Sequence, residues 1–303
     1  MSIRFDGKVA IVTGAGGGLG RCHALELARR GAKVVVNDLG GAVDGTGGSS
    51  AAAESVVAEI KAFGGQAIAN GASVADDAGA KHLVEQAMDA FGRLDIIVAN
   101  AGILRDKSFG KMELKDFEAV MAVHVMGTVK PVKAAWQIMR DQQHGRVVVT
   151  TSSTGLYGNF GQTNYGTAKL GLVGFMNSLK LEGAKDNIKV NAICPVAATR
   201  MTENLLPPNV LEMIKPEYVT PAVVFLVSDE APTGVVISAG AGVFSSAQIF
   251  ESKGINLGHA ATADTVAENW AKIADFAEPT HFFSGNDHAG HLMARLGDKP
   301  VAG

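Results

Sequence analysis

The stretch that most constrains this chain is Val9-Ala10-Ile11-Val12 running directly into Thr13-Gly14-Ala15-Gly16-Gly17-Gly18-Leu19-Gly20. Four apolar residues bounded by a glycine cluster read as a strand buried on both faces. Residues 22–30 read as a helix stopped by Gly31. Strand, tight turn and helix together open a βαβ unit, in which glycines let the backbone approach a pyrophosphate at the helix N-terminus. The competing reading is an ordinary Gly-rich turn. The strand before it and the helix after it favour a dinucleotide, held by Thr13, Gly14, Gly18, Leu19 and Gly20.

The same pattern continues. Residues 33–37, 66–69, 94–99, 146–150, 188–193 and 235–237 read as strands, and 51–63, 77–91, 114–140 and 164–182 as helices. This alternation predicts an α/β fold: a doubly wound parallel sheet with helices on both faces and right-handed crossovers. Ligands of such sheets bind beyond the carboxyl ends of the strands. The Gly/Ser-rich segment 40–50 reads as a mobile surface loop. It is no phosphate loop, since it lacks the Lys-Ser/Thr ending.

Asp38 closes the second strand. A carboxylate there accepts the hydroxyls of an adenosine ribose and repels a 2′-phosphate, and no basic residue stands immediately beside it. The cofactor expected is therefore NAD, not NADP. A solvated turn aspartate is the alternative.

Tyr165 and Lys169 are four residues apart and share a helix face; Ser152 lies just upstream. A phenol ionises near pH ~10, too high for a general base at neutrality. A neighbouring ammonium favours the phenolate and lowers that value. Tyr165 could then exchange a proton with an alcohol, with Ser152 holding the same oxygen.

With 47% apolar and 19% charged residues among 303, the chain can build a large core. A net charge of −3 gives no basic surface for nucleic acid, and no apolar run reaches membrane-spanning length. The first residues lack the basic-then-apolar profile of a secretory leader. Pro300-Val301-Ala302-Gly303 is not a Ser-Lys-Leu address, so the expected location is cytoplasmic. Cys22 and Cys194 have no metal-site spacing and read as buried, inert thiols. His281, Asp287, His288 and His291 cluster near the C-terminus. No Cys or Glu completes a tight set, so no metal is expected there.

Taken together, Thr13-Gly14-x-x-x-Gly18-x-Gly20, Asn100-Ala101-Gly102, Ser152 and Tyr165-x-x-x-Lys169 resemble the short-chain dehydrogenase/reductase family, over about residues 5–245. The resemblance implies a Rossmann-like sheet of about seven parallel strands. It implies that Asn100 buttresses the fourth strand and the adenosine end, and that Ser73 and Val74 flank the adenine. Ser152, Tyr165 and Lys169 would be catalytic, with Lys169 on the nicotinamide ribose and Thr199 on the nicotinamide amide. Homodimers or homotetramers are the family expectation.

Segments 4–7, 36–41, 101–109 and 157–162, with a C-terminal extension around Val266, Asn269, Trp270 and Asp275, are similar to the D-bifunctional branch of that family. This implies NAD-dependent oxidation of a (3R)-3-hydroxyacyl-CoA to the 3-oxoacyl-CoA by a free-standing dehydrogenase. The alternatives are a 17β-hydroxysteroid or other secondary-alcohol dehydrogenase, and a non-catalytic dinucleotide-binding regulator. Two departures from the family pattern stand out. His124 occupies the place of an asparagine whose backbone carbonyl helps hold a proton-relay water, making it a possible relay position. Pro195-Val196 replaces the usual Pro-Gly.

Residues 1–250 are expected to form the NAD-binding and catalytic domain. Residues 251–303 would be an extension packed on the same domain or on a neighbouring subunit. Within it, 263–277 reads as one amphipathic helix carrying Val266, Trp270, Ile273 and Ala277 on a single face. Segment 201–218 lies where the family places a substrate lid. There Leu205, Leu206, Met213 and Ile214 line an acyl pocket or simply cover the core.

Overall fold

The computed structural model describes residues 2–198 and 207–298. The chain separates into two compact units, 1–246 and 247–303.

In the first unit, strands β1 (Val9–Thr13), β2 (Lys33–Asn37), β3 (Gln66–Asn70), β4 (Ile96–Ala99), β5 (Gly145–Thr150), β6 (Ile188–Pro195), β7 (Val236–Gly240) and β8 (Val243–Ala247) form one sheet in the order 3-2-1-4-5-6-7-8. β1 to β7 are parallel, with Val12 opposite both Val36 and Val98, and Thr150 opposite Ile193. Every residue of β1, β4 and β5 is buried. That is why these strands read as continuous apolar runs, not alternating ones. β8 adds an eighth strand to the seven expected. Ala241 and Gly242 both have positive φ, the backbone of a two-residue hairpin, so β8 turns back along β7.

Helices α1 (Gly18–Arg29), α2 (Ala51–Ala62), α3 (Asp77–Phe91), α4 (Leu114–Met121), α5 (Gly127–Asp141), α6 (Ser153–Tyr157), α7 (Thr163–Gly183), α8 (Pro208–Met213) and α9 (Thr220–Leu226) complete the unit. Local chemistry sets their limits. Asp76 caps α3 through Gly79 N–H at 3.1 Å, and Gly92 ends it with φ 76°. α1 begins four residues before the expected start, so the last glycines of the loop are its first turn. The long helix expected over 114–140 is interrupted by a single π turn, Ala122–Met126, which separates α4 from α5 and contains His124. The order reverses between β1 and β4, which opens a crevice at their carboxyl ends.

The second unit holds α10 (Ala263–Glu268), α11 (Trp270–Ile273) and α12 (Gly285–Ala294). The single amphipathic helix expected over 263–277 is thus two short pieces. Asn269 leaves helical geometry, its side chain donating to Thr265 O at 2.9 Å and accepting from Lys272 at 3.1 Å. Such side-chain bonds compete with the backbone ladder. His288 and His291 both pack on Phe282, and His288 Nε2 lies 3.2 Å from Glu251. Among the described residues no helix is long and apolar enough to cross a membrane.

Candidate active site

The carboxyl ends of β1, β2, β4 and β5 open onto a cavity of about 460 Å³. Gly14, Gly17, Gly18 and Leu19 form its floor. Gly17 precedes α1 without a side-chain cap, so the first N–H groups of the helix remain available to an anion. Two of the crowded glycines face backbone directly: a Cβ on Gly14 would lie 2.8 Å from Ala101 Cα, and one on Gly20 only 2.2 Å from Gly14 O; a Cβ on Gly16 would lie 2.7 Å from the Ala52 Cβ. Thr13 and Gly20 stand behind the wall and do not line it. Thr13 Oγ1 accepts from the backbone N–H groups of Asn100 and Ala101 at 3.0 and 3.1 Å. Asn100 Nδ2 donates back to Thr13 O and Gly14 O. This reciprocal latch fixes β1 to β4 and gives both residues a structural task.

Asp38 lines the cavity, and its two carboxylate oxygens accept from Gly16 N–H and Gly40 N–H, each at 2.7 Å. A carboxylate oxygen can accept more than one hydrogen bond, so ribose hydroxyls still find acceptors there. Segment 40–50 lies at the surface as expected, with residues 42, 44 and 46–50 exposed, and its first half also folds over this end of the cavity. Leu104 N–H donates to Val43 O at 3.0 Å and Arg105 Nε to Asp44 O at 3.0 Å. Gly41, Ala42, Val43 and Gly45 join the lining, opposite Ser73 and Val74. Sequence reasoning missed these four. The signal was the positive-φ glycines that let the loop turn back, Gly40 and Gly45 among them.

Ser152, Tyr165 and Lys169 converge at the other end. Ser152 follows β5 in extended conformation and caps α6, accepting from Thr154 N–H at 3.2 Å. Its hydroxyl is also close enough to the Tyr165 phenol to favour the phenolate. Lys169 is 3% exposed; its Nζ donates to Thr150 O at 2.6 Å and stands 5.5 Å from the Tyr165 ring centre. The expected electrostatic order is reversed. Burial pushes the phenol up to about 12, only partly opposed by Ser152, and pushes the Lys169 ammonium down to about 7. Desolvation penalises both charged forms, and here it outweighs the attraction of ammonium for phenolate.

His124 is buried at the same end, its ring edge-on to Tyr165 with centroids 5.2 Å apart. Nε2 lies 3.0 Å from Ile103 N and 2.8 Å from Ile103 O, while Nδ1 is buried with no partner among the described residues. Burial, with the Lys169 charge second, lowers the imidazole to about 3. Gly102 makes room for it, since a Cβ there would lie 2.4 Å from the imidazole Cε1.

Val196, in place of the usual glycine, needs no special backbone: its φ is not positive. The space comes from Gly240, whose Cβ would lie 2.4 Å from Val196 O. Ile214 lines the cavity and Met213 is exposed; Thr199, Leu205 and Leu206 lie outside the described residues. Cys194 is buried as expected, whereas Cys22 is only half-buried; burial raises both thiols, Cys22 to about 11, consistent with inert cysteines.

A doubly wound sheet with a glycine cradle at its switch point, and a Ser/Tyr/Lys cluster in the same cavity, defines a dinucleotide-dependent oxidoreductase of secondary alcohols. The sequence profile described as short chain dehydrogenase matches residues 8–209. The chain belongs to that family. It is 48% identical to peroxisomal multifunctional enzyme A of Dictyostelium discoideum over 100% of this chain and 68% of that one. It is 52% identical to a short-chain type dehydrogenase/reductase of Mycobacterium tuberculosis over 89% of this chain and 95% of that one. Full-length peroxisomal multifunctional enzyme type 2 from Drosophila melanogaster superposes with a TM-score of 0.82 at 35% identity. That match covers 97% of this chain, which spans half the length of the Drosophila protein.

Proposed function

We propose that this chain oxidises (3R)-3-hydroxyacyl-CoA thioesters to 3-oxoacyl-CoA with NAD. The observation that carries the reading is one cavity holding Asp38 at one end and Ser152, Tyr165 and Lys169 at the other. The names of the relatives, multifunctional enzymes of peroxisomes, support the substrate class.

The residues present fit a dinucleotide. Gly14 and Gly20 would clear the pyrophosphate turn, and Asp38 would meet the adenosine ribose hydroxyls. Ser73, Val74 and Asn100 would bound the adenosine end, and Lys169 would meet the second ribose. When bound, the oxidised nicotinamide supplies a positive charge and accepts the hydride. Tyr165 takes the substrate hydroxyl proton as C3 loses hydride, leaving a carbonyl. Ser152 donates to the same oxygen. Because burial holds the phenol near 12, its ionisation draws on the Lys169 ammonium, and an oxidised nicotinamide, when bound, would add a second positive charge. Ile214 borders the acyl side. The extension from 251 is proposed to pack on its own domain or on a neighbouring subunit. Exposed Leu170 and Leu181, on one face of α7, favour a homodimer or homotetramer.

The test is a rate comparison of (3R)- and (3S)-hydroxyacyl-CoAs of several lengths and a steroid alcohol, under NAD and NADP. Preferred turnover of the 3R thioester with NAD is expected. Faster turnover of the steroid, or with NADP, would replace this reading.

A further inference from the structure

We infer that His124 is a positioning residue whose neutral imidazole, by exchanging tautomers against the Ile103 peptide, orients a relay water at Nδ1 in either sense. The inference rests on the dehydrogenase reading and adds a task for a group that reading leaves idle.

The argument begins with the backbone. The resemblance assigns the water to the carbonyl at this position. Here that carbonyl already accepts from Thr128 Oγ1 at 2.8 Å. At this residue the unpartnered buried atom is the side-chain Nδ1; Thr150 Oγ1, of a residue lining the same cavity, is another among the described residues. The imidazole borders the cavity that contains Tyr165 and Lys169, and a π turn carries it there. Single π turns recur at functional positions because they displace one residue from the regular ladder.

The two contacts of Nε2 exclude each other. When Nε2 carries the hydrogen it donates to Ile103 O, and Nδ1 is an acceptor. When Nδ1 carries the hydrogen, Nε2 accepts from Ile103 N–H, and Nδ1 is a donor. Both arrangements use the same ring position, so the sense of hydrogen bonding at Nδ1 reverses with no change of charge.

A water that relays a proton is steadied by such a partner. Before transfer its hydrogens point one way; afterwards they point the other. A fixed acceptor, such as the backbone carbonyl of the family pattern, holds one hydrogen of the water throughout; a partner of reversible sense follows the change. His124 is not itself the carrier, because burial and Lys169 oppose its protonation. The proton leaving the alcohol goes to Tyr165 and onward through Lys169 and water to solvent. The imidazole begins and ends neutral.

The test combines ¹⁵N spectra with three substitutions. In protein labelled at histidine, without cofactor, the expected His124 signals are those of a neutral ring averaging two tautomers from pH 6 to 9. An imidazolium, or one fixed tautomer, would overturn the inference. For His124→Phe, which keeps the ring against Tyr165, kcat is expected to fall about 100-fold with each KM within about threefold. Its solvent isotope effect should rise. His124→Gln and His124→Asn carry an amide that both donates and accepts, and should recover at least about tenfold of that loss. A Phe variant with kcat within threefold of the parent, or amide variants no better than Phe, would sink it. Should Phe fail to fold, the spectra and the amide variants still decide. If the parent protein turns over no hydroxyacyl-CoA while the averaged ¹⁵N signals persist, the substrate reading fails and the tautomer exchange stands.

Discussion

Lys169 Nζ gives its short hydrogen bond, 2.6 Å, to the Thr150 carbonyl and faces the Tyr165 ring from 5.5 Å. The lysine is therefore anchored to the end of β5 and acts on the phenol across space. At that separation, inside the fold, burial decides both protonation states. The site is poised with a neutral phenol and an ammonium near its titration point.

Alcohol oxidation should consequently accelerate with pH. The active form has lost the phenol proton, and that proton is held more tightly than in water. The expected log kcat/KM for oxidation rises with a slope approaching one up to about pH 7 and levels off above it, where Lys169 loses the charge that the phenolate draws on. The reverse reduction, which needs the protonated phenol beside a charged Lys169, should stay level up to about pH 7 and decline above it as Lys169 loses its proton. Tyr165→Phe should lower oxidation by at least ~1000-fold, consistent with the upper part of the range for a lost acid–base group. A flat oxidation profile would contradict this account.

Asp38 can be tested by charge alone. Asp38→Asn keeps the size but cannot accept from both Gly16 and Gly40 N–H, and it no longer repels a phosphate. The ratio of kcat/KM for NAD over NADP is expected to fall ~30–100-fold, equivalent to about 2–3 kcal/mol. Most of the change should come from weaker NAD binding, measured by fluorescence titration. An unchanged ratio would show that the carboxylate does not select the cofactor.

The glycine loop separates contact from freedom. Gly20→Ala would press a methyl against backbone that cannot yield, 2.2 Å from Gly14 O. Gly17 is extended, with nothing within 4 Å of the added carbon. Gly17→Ala should melt within a few degrees of the parent, while Gly20→Ala should lose soluble expression or NAD binding. Thr13→Val removes the acceptor for two N–H groups and should cost about 2 kcal/mol in urea unfolding. Equal tolerance at positions 17 and 20 would contradict the contact argument.

Much of this was legible because parallel strands are buried on both faces and announce themselves as apolar runs. The cradle was legible because glycines mark tight backbone. What stayed hidden depends on tertiary placement. The 40–50 loop has no apolar pattern, since its own backbone makes the contacts to Leu104 and Arg105. The π turn at His124 leaves no compositional trace in an otherwise helical stretch. The protonation order of Tyr165 and Lys169 could not follow from four-residue spacing, which gives proximity but not burial. Thr13 looked like a ligand contact because it belongs to the motif, yet its hydroxyl is spent on Asn100 and Ala101.

Lys169 should be a stability cost that the fold bears for function. Its folded pKa is about 7 against 10.5 when exposed, so the unfolded chain binds more protons between these values. Stability must then rise with pH across that window, by at most about 1.4 kcal/mol per unit, and be least favourable below pH 7. Lys169→Met keeps a flexible apolar stem and removes the ammonium. It leaves Thr150 O without its donor, a loss of about 1–3 kcal/mol at any pH. The pH-dependent part isolates the charge. The stability of the variant relative to the parent is expected to be greater at pH 6 than at pH 9.5 by roughly 3 kcal/mol, from urea melts at both values. Turnover should be abolished throughout. A difference that is constant with pH would mean that Lys169 keeps its ordinary proton affinity in the folded protein, and that the reversed electrostatic order at the site is wrong.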